Sequence, residues 1–439
     1  MTSLQQSANT RLRWFIGSLA IASFLGYWQV NTRVLQQTGP EPCKEAIIHP
    51  AAAGVRTVEH DDAIAAHLPE WLQEYGTWHQ EAISQLNATN WRSQRFLVMT
   101  AIRGRRTGGL TDRLKPLPFF LKLAATTNRI LLIYWSKPFT LEQYLLPPEG
   151  GFDWRVPRYM VDAIATAKLE TRPEGVRRLA NDTGSGTMLL ATQMQAHDYG
   201  EGWYDDNPLD GDNTGSRKDV FRHMWHWTFT PTPPIAQRIQ EEFDYMGVTP
   251  GNYAAAHIRA VYAVKERSDD TIVRMTKHAM DCVSMLRPGG PFFVASDTDK
   301  AITVAKAYGR IKNVTVVASS NHNHNNRKDP LHLDMYNTTD PSIMPEDFYD
   351  AFVDLYLLGS TRCIAHGQGS FGHWGYLLGY DPSCEIRHFK GPQCAWTDGP
   401  TATAQEQQMR VFGVASKEPP SRPLFRQPMS YDSIYAYRH

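Results

Sequence analysis

Short apolar runs alternate with amphipathic stretches along the chain, beginning at Phe96. Residues 96–102 (FLVMTAI) are apolar apart from one threonine, which is typical of a buried strand. Residues 117–126 predict an apolar helix, and residues 129–135 (RILLIYW) predict a second strand. A strand, a helix and a strand within about 40 residues have the size of one βαβ unit. The pattern therefore predicts that a parallel sheet begins near Phe96.

A second series of the same kind begins near Tyr253. Its predicted elements are strands at residues 253–258, 292–296, 314–318 and 362–366 and helices at 269–286, 300–308 and 345–358. Strands that alternate with helices favour parallel sheets covered on both faces. A polar stretch rich in Gly, Asp and Pro, residues 199–216, separates the two series. We therefore predict an α/β protein in which two Rossmann-like domains, residues 96–250 and 251–439, face a cleft.

The first 95 residues follow a different pattern. Residues 14–30 carry no charge and follow Arg11 and Arg13, which predicts an anchoring helix with its N-terminus in the cytosol. We assign residues 1–33 to a cytosolic tail and signal-anchor helix, and 34–95 to a stem in which residues 60–82 have a helical pattern. A signal peptide cleaved near Ala20 and Ala22 is the alternative. The short span suits a Golgi or ER membrane, with single-pass type II topology and the bulk of the chain in the lumen.

Charge and composition narrow the class of protein. Lys+Arg and Asp+Glu are both 45, so no overall basic field attracts nucleic acid. The mean hydropathy of −0.43 excludes a polytopic membrane protein. The sequence has no C-x-x-C pair for a zinc ribbon, and its five cysteines leave at least one thiol unpaired within the chain, for which Cys43 is our candidate. Four N-x-[ST] sequons fit a luminal protein and lie at Asn87, Asn181, Asn313 and Asn337.

Two candidate phosphate-binding loops follow predicted strands. Residues 103–117 (RGRRTGGLTDRLKPL) contain Gly108-Gly109 just before a predicted helix, where backbone N–H groups can bind an anion. The strand at 253–258 ends in His257-Ile258-Arg259. Ligands of open α/β sheets bind beyond the carboxyl ends of the strands, where a guanidinium can bind a phosphate through two N–H groups. The alternatives are a simple glycine turn for the first loop and an arginine paired with an acid for the second.

Two further candidate loops belong to the second series. Asp297 and Asp299 form a D-x-D pair after the strand at 292–296. Such a pair can hold a metal, but Asp299 also suits a helix N-terminus and Asp297 can accept hydrogen bonds from a nucleobase edge, so we predict no metal site. Residues 365–379 (AHGQGSFGHWGYLLG) bring Ser370 and a Gly-rich backbone to a helix N-terminus that can hold phosphate. We interpret His322-x-His324 as part of a solvated loop.

Together these segments resemble motifs of the GDP-fucose fucosyltransferases of the metal-independent GT-B type. That superfamily includes the protein O-fucosyltransferases and the core and xyloglucan fucosyltransferases. The resembling segments are residues 108–114 (GGLTDRL), 128–132 (NRILL), 257–259 (HIR), 294–297 (VASD) and 352–356 (FVDLY) with 370–372 (SFG). Their order and spacing cover residues 96–379. The resemblance implies a GT-B fold and a type II membrane glycosyltransferase that transfers fucose with inversion.

The resemblance also implies a role for individual residues. Arg259 corresponds to the arginine that grips the donor β-phosphate, and Asp297 to a residue near guanine and ribose. Ser370 and Phe371 belong to the motif that meets the phosphates. Asp112 lies in a loop suited to supply the general base that inversion requires, and help from the donor phosphate itself is the alternative.

The remaining implied contacts concern the nucleotide and the partners. Gly108, Gly109, Arg113 and His257 are the other expected nucleotide-binding residues. No metal or other cofactor is implied. The expected partners are a GDP-sugar donor, a glycan or glycoprotein acceptor and, through one N-terminal helix, a membrane. Two alternatives stay open, namely a GT-B transferase for another nucleotide sugar and a catalytically degenerate luminal binding protein.

Overall fold

In the computed structural model of the protein, helices alternate with strands that form mainly parallel sheets, which confirms the predicted α/β class. The structure describes residues 64, 66–102, 108–149, 151–167, 169–170, 175–176, 178, 189–192, 217–262, 265–319, 333, 343–367, 369–380, 384–388 and 394–396. All of them belong to one compact unit, Pro50–Asp398.

The elements are numbered here in chain order. The helices are α1 (Glu70–Ser84), α2 (Leu110–Leu114), α3 (Leu117–Thr126), α4 (Val161–Thr166), α5 (Arg217–Thr228), α6 (Pro233–Met246), α7 (Asp269–Leu286), α8 (Asp299–Lys312), α9 (Tyr349–Gly359) and α10 (Ser370–Leu378). The strands are β1 (Phe96–Ala101), β2 (Ile130–Trp135), β3 (Leu145–Leu146), β4 (Leu169–Glu170), β5 (Leu189–Thr192), β6 (Thr230–Pro231), β7 (Ala254–Ile258), β8 (Val261–Tyr262), β9 (Lys265–Glu266), β10 (Phe292–Ser296), β11 (Val316–Val317), β12 (Cys363–His366), β13 (Glu385–His388) and β14 (Cys394–Trp396).

The first sheet has the strand order β2-β1-β5-β4, and its neighbouring strands are parallel. β1 is buried along its whole length because helices cover it, as the continuous apolar run predicts. The loop after β1 leads to the short helix α2 and then to α3. The carboxyl end of β1 is therefore the place where this sheet can present a loop to a ligand.

The second sheet has the order β11-β10-β7-β12-β13-β14, with every pair parallel except β13 and β14. Renumbered within the sheet, this is the order 3-2-1-4-5-6 of a doubly wound fold. The chain leaves β7 toward one edge and returns at β12 toward the other. The gap between the loops after β7 and β12 is thus the topological switch point, where such folds bind ligands.

Aromatic side chains of α5 and α10 join the core. Trp225 and Trp374 are fully buried and meet edge to face, with ring centroids 5.3 Å apart. Phe221 packs against Trp374 in the same way at 5.2 Å. These residues belong to one continuous apolar cluster that also contains Leu97 and Met99 of β1. The two sheets are therefore held together through a shared core.

Helix α1 lies within the segment that we assign to the stem. The helical pattern is confirmed but begins at Glu70, directly after Pro69, and ends at Ser84. Leu72 and Tyr75 are buried, and the Tyr75 hydroxyl donates a hydrogen bond to the Arg129 carbonyl oxygen over 2.9 Å. This contact fixes α1 at the entrance to β2, so α1 packs against the first sheet.

Two disulfides lie in the second half of the described chain. Cys282 of α7 is bonded to Cys394 of β14, and Cys363 of β12 is bonded to Cys384, the residue before β13. Both connections hold the β12–β14 edge of the second sheet in place. Cys43 lies outside the described residues.

Within the described ranges, no helix combines the length and the apolar character needed to cross a membrane. The predicted anchor at residues 14–30 lies outside those ranges. The polar stretch 199–216 and the His322-x-His324 segment also lie outside them, as do the sequons at Asn181 and Asn337.

Candidate functional site

The loops after β7 and β12 meet at the switch point of the second sheet. Arg259 directly follows β7 and is half-buried, and its Nε donates to the Val261 carbonyl oxygen over 3.3 Å. Gly369 precedes α10 with a φ of 95°. A Cβ atom at this glycine would lie 2.8 Å from Nη1 of Arg259. The backbone conformation therefore requires glycine here, and the Arg259 guanidinium occupies the space that a side chain would take.

Asp297 holds the loop that carries Arg259. Its Oδ1 accepts a hydrogen bond from the Ala260 amide over 2.6 Å, and its Oδ2 accepts one from the Val261 amide over 3.0 Å. Burial raises the pKa of Asp297, although these amides and the charge of Arg259 oppose the rise. Both oxygens are engaged within the protein. The geometry therefore gives Asp297 a role in positioning the Arg259 loop, and its expected contact near guanine and ribose stays a prediction.

Ser370 connects the second sheet to the first. Its Oγ donates to Oδ1 of Asp112 over 2.9 Å and lies 2.8 Å from Oγ1 of Thr111. Asp112 Oδ2 accepts a hydrogen bond from the Gly109 amide over 3.2 Å. The structure thus brings together two segments that sequence reasoning selected separately. The Gly109 amide, however, is occupied by Asp112 and is not free to bind an anion.

Arg113 belongs to α2, which follows the first strand of the first sheet. It is buried there and does not reach the switch point of the second sheet. Its exposed fraction is 0%, and its guanidinium lies over the Trp135 ring at 4.9 Å. The guanidinium donates to three carbonyl oxygens, those of Gly108 at 3.1 Å, Leu333 at 3.0 Å, and Lys137. These carbonyls engage its N–H groups in the core, which favours a structural role for Arg113 over the predicted contact with the nucleotide.

His257 and Phe371 pack behind the loops. The His257 ring is buried, and its centroid lies 5.5 Å from that of Phe371. Burial lowers the pKa of His257 well below its ordinary value, and the charges of His366, Arg259 and His388 lower it further. His257 is therefore neutral and suited to packing, whereas a charged contact with a phosphate would need an exposed imidazolium.

Sequence reasoning did not single out a polar cluster next to these loops. It consists of His366, His373, Glu385, Arg387 and His388, on β12, β13 and α10. Two of these histidines stand in the quoted segment 365–379, but no spacing rule links them to a glutamate beyond residue 380. Only the parallel pairing of β12 with β13 brings them together.

The described residues contain two groups of three side chains that could together bind a metal ion. These are His278 with Cys282 and Cys394, and His366 with His373 and Glu385. The first group is excluded because its cysteines form a disulfide with each other. Neither group contains Asp297 or Asp299, so the D-x-D pair forms no such cluster in the part of the chain that the structure describes.

These contacts define what the site can do chemically. A guanidinium, the first backbone N–H groups of α10 and a serine hydroxyl converge where the strands β7 and β12 diverge. Such groups favour a ligand with developing negative charge, and diphosphate is the group of this kind that doubly wound sheets commonly bind. A carboxylate, Asp112, adjoins them from the first sheet.

Comparison with known proteins identifies this architecture. No family model and no curated protein matches the sequence. Among solved structures, the chain is similar to a mutant of Arabidopsis thaliana FUT1 in complex with GDP, with a TM-score of 0.50 and 12% identity over 76% of this chain and 84% of that chain. Fucosyltransferase NodZ from Bradyrhizobium gives a TM-score of 0.44 and 14% identity over 70% and 99% of the chains. POFUT1 in complex with GDP gives 0.36 and 12% over 68% and 99%.

The similarity to FUT1 is one of fold, since the sequence identity is only 12%. This chain therefore shares the fold of FUT1, as the resemblance seen in the sequence predicts.

Proposed function

We propose that the protein is a GT-B glycosyltransferase that moves fucose from GDP-fucose to a hydroxyl group of a glycan or protein. The observation that carries this proposal is the meeting of Arg259, Gly369 and Ser370 at the switch point of a doubly wound sheet. The fold shared with FUT1, whose structure is a complex with GDP, supports the choice of donor. In this proposal residues 96–250 form the acceptor-side domain and residues 251–439 bind the GDP-sugar.

The proposed chemistry follows from the charge that the reaction creates. When the bond between fucose and the donor breaks, negative charge develops on the β-phosphate. The Arg259 guanidinium and the N-terminal amides of α10 can stabilise that charge in the transition state. This arrangement needs no metal ion, and the proposal accordingly includes none.

Transfer with inversion also requires a base for the acceptor hydroxyl. We assign this role to Asp112, whose Oδ1 now accepts the Ser370 hydroxyl. In the reaction, the acceptor hydroxyl would take the place of Ser370 at Oδ1 and lose its proton to the carboxylate. Ser370 would then be free to donate to the diphosphate.

The disulfides and the exposed sequons support a luminal location. Disulfides persist in oxidising compartments, and the described residues contain two. The sequon residues Asn87 and Asn313 are exposed, and Asn313 caps α8 at the surface. We therefore propose a type II protein of the Golgi or ER membrane, anchored by residues 14–30, with its catalytic part in the lumen.

A thermal-shift titration with GDP, UDP and CMP tests the donor class. We expect GDP alone to raise the melting temperature, because only guanine fits the proposed donor. A shift with UDP or CMP instead would indicate a transferase for another nucleotide sugar. No shift with any of the three would indicate a protein that no longer binds a donor.

The second test measures release of GDP from GDP-fucose with and without a panel of glycan and folded-protein acceptors. We expect acceptor-dependent release that EDTA leaves largely unchanged. Complete loss with EDTA, restored by Mn²⁺, would contradict the metal-independent mechanism.

A further inference from the structure

A buried carboxylate lies behind the loop that joins β12 to α10. Glu385, the first residue of β13, has an exposed fraction of 1%. An ionised carboxylate removed from water is stable only when it is paired and hydrogen-bonded. Its Oε1 contacts Nε2 of His366 and lies 3.4 Å from Nδ1 of His373.

These two histidines stand at the two ends of the loop. His366 is the last residue of β12, and His373 is the fourth residue of α10. Between them lie Gly369, which packs on Arg259, and Ser370, which donates to Asp112. One carboxylate is therefore connected to both ends of the segment that carries the proposed diphosphate contacts.

A second layer closes the space behind this segment. His388 lies within hydrogen-bonding distance of the His257 carbonyl oxygen, with its Nε2 3.0 Å away. Its ring also packs so closely on Gly367 that a Cβ atom there would lie 2.5 Å from the ring. Burial lowers the pKa of His373 and of His388 to about 4. Both rings are thus neutral at neutral pH, so they can hydrogen-bond without adding charge.

The ionisation of Glu385 fits the same arrangement. Burial alone would raise the pKa of Glu385, but hydrogen bonds from His366 and His373 lower it below its ordinary value. The carboxylate therefore stays ionised and keeps both histidines as partners.

A metal ion is the alternative explanation for two histidines and a glutamate whose ligand atoms lie within 4.8 Å of one another. Arg387 argues against it. Its Nε lies 3.5 Å from Oε1 of Glu385, and its Nη2 lies 3.5 Å from Nδ1 of His373. The guanidinium already supplies the positive charge that balances the carboxylate, and a dication beside it would be repelled.

We propose that Glu385 is a positioning residue, which fixes the β12–α10 loop through His366 and His373 so that Gly369 and Ser370 are held ready for the donor diphosphate. The positioning is a property of the free protein. Only the identity of the ligand rests on the proposed function.

Two measurements on the full chain test the positioning role and the identity of the ligand separately. Hydrogen–deuterium exchange of the free protein, in the peptide spanning residues 369–376, reports on Gly369 and the first turns of α10. Isothermal titration with GDP reports on binding. In Glu385→Gln we expect about tenfold faster exchange in this peptide and about ten- to hundredfold weaker GDP binding, as for other supporting residues around a site.

Matched variants control for the loss of a buried group. Glu242→Gln removes another buried carboxylate, 2% exposed and located in α6, and should leave exchange in the 369–376 peptide unchanged. His373→Ala should reproduce the effect of Glu385→Gln. His373→Asn should restore most of it, because the Asn side chain can place a polar atom near the position of Nδ1.

The outcomes distinguish the possibilities. Unchanged exchange in Glu385→Gln overturns the proposal, whatever happens to GDP binding. If Glu385→Gln does not fold, the His373 pair decides, and failure of Asn to improve on Ala overturns it. One zinc per wild-type chain, absent from Glu385→Gln, would overturn it in favour of a metal site. Faster exchange in a protein whose wild type binds no GDP would support the positioning role and contradict the proposed function.

Discussion

Arg113 and Arg259 occupy comparable places in the chain and different places in the molecule. Each follows a strand of a parallel sheet, Arg113 beyond β1 and Arg259 directly after β7. Arg113 is completely buried and donates to three backbone carbonyl oxygens. Arg259 is half-buried and lies against Gly369 at the switch point. One guanidinium is thus held in the core, while the other lies where we propose that the donor binds.

The difference separates a structural arginine from one that we propose binds phosphate. Both have the fork of N–H groups that suits a phosphate. What differs is the neighbouring backbone, since carbonyl oxygens converge on Arg113, whereas a glycine without a side chain leaves room beside Arg259. The backbone groups that surround each guanidinium, and not the type of residue, therefore decide its role.

The largest expected effect comes from Arg259→Ala. If Arg259 stabilises the departing diphosphate, the variant should fold normally but lose about 100- to 1000-fold in turnover, the loss typical of one preorganised donor. Arg259→Lys should restore little activity, because an ammonium keeps the charge and lacks the planar fork. Single-turnover transfer assays together with melting curves measure both properties.

Two results would contradict this assignment. Near-normal transfer by Arg259→Ala would remove Arg259 from the donor site. A strongly lowered melting temperature would make Arg259 a structural residue like Arg113, and the contrast between the two arginines would no longer hold.

Arg113→Met is expected to show the opposite behaviour. The substitution removes hydrogen bonds to three buried carbonyl oxygens. At about 1 kcal/mol for each net hydrogen bond, the free energy of unfolding should fall by about 3 kcal/mol. Denaturant unfolding measures this change, and GDP binding by the molecules that remain folded should stay within about twofold of the wild type, or about 0.4 kcal/mol.

Arg92→Met is the matched control for this change. Arg92 is exposed and lies over the Trp91 ring at 4.5 Å, so it shares the aromatic contact but not the burial. Its replacement should cost less than about 1 kcal/mol. Equal destabilisation by the two variants would show that the carbonyl contacts of Arg113 contribute little.

The sequence predicts the fold best where apolar periodicity is strong. The predicted bounds of α7 and β10 coincide with the observed ones, Asp269–Leu286 and Phe292–Ser296, because one is a long amphipathic helix and the other a continuous apolar strand. β13 was not predicted, since a four-residue segment with two charged residues and a histidine carries no apolar pattern.

The candidate site was predictable to a smaller degree. Strand ends located Arg259 and Ser370, because parallel topology determines which loops share an edge of the sheet. The roles of Arg113 and Asp297 depend on backbone groups that only the folded chain brings to them. Glu385 was missed for the same reason, since a charged residue in a short polar segment is ordinarily exposed.

The smallest expected effect concerns buried histidines in the two halves of the described chain. Burial lowers the pKa of His79, which packs near the first sheet, to about 4, as it does for His373 and His388 near the second. In the unfolded chain each histidine titrates near its ordinary value of about 6.5. Between about pH 6.5 and pH 4 the unfolded state therefore binds more protons, so the stability these residues contribute is complete above that range and is lost as the pH falls.

The variant His79→Gln isolates the contribution near the first sheet. The Gln side chain can still donate to the Leu131 carbonyl oxygen, which Nε2 of His79 approaches to 3.0 Å, but it does not titrate. Denaturant unfolding at a series of pH values should show the wild type losing stability from pH 7 to pH 5. In His79→Gln the slope of the free energy of unfolding against pH should be smaller by at most about 1.4 kcal/mol per pH unit, which is the effect of one proton. If His79→Gln has the wild-type slope, His79 can be protonated while the protein stays folded. The loss of stability at low pH would then come from the buried histidines that support the β12–α10 loop.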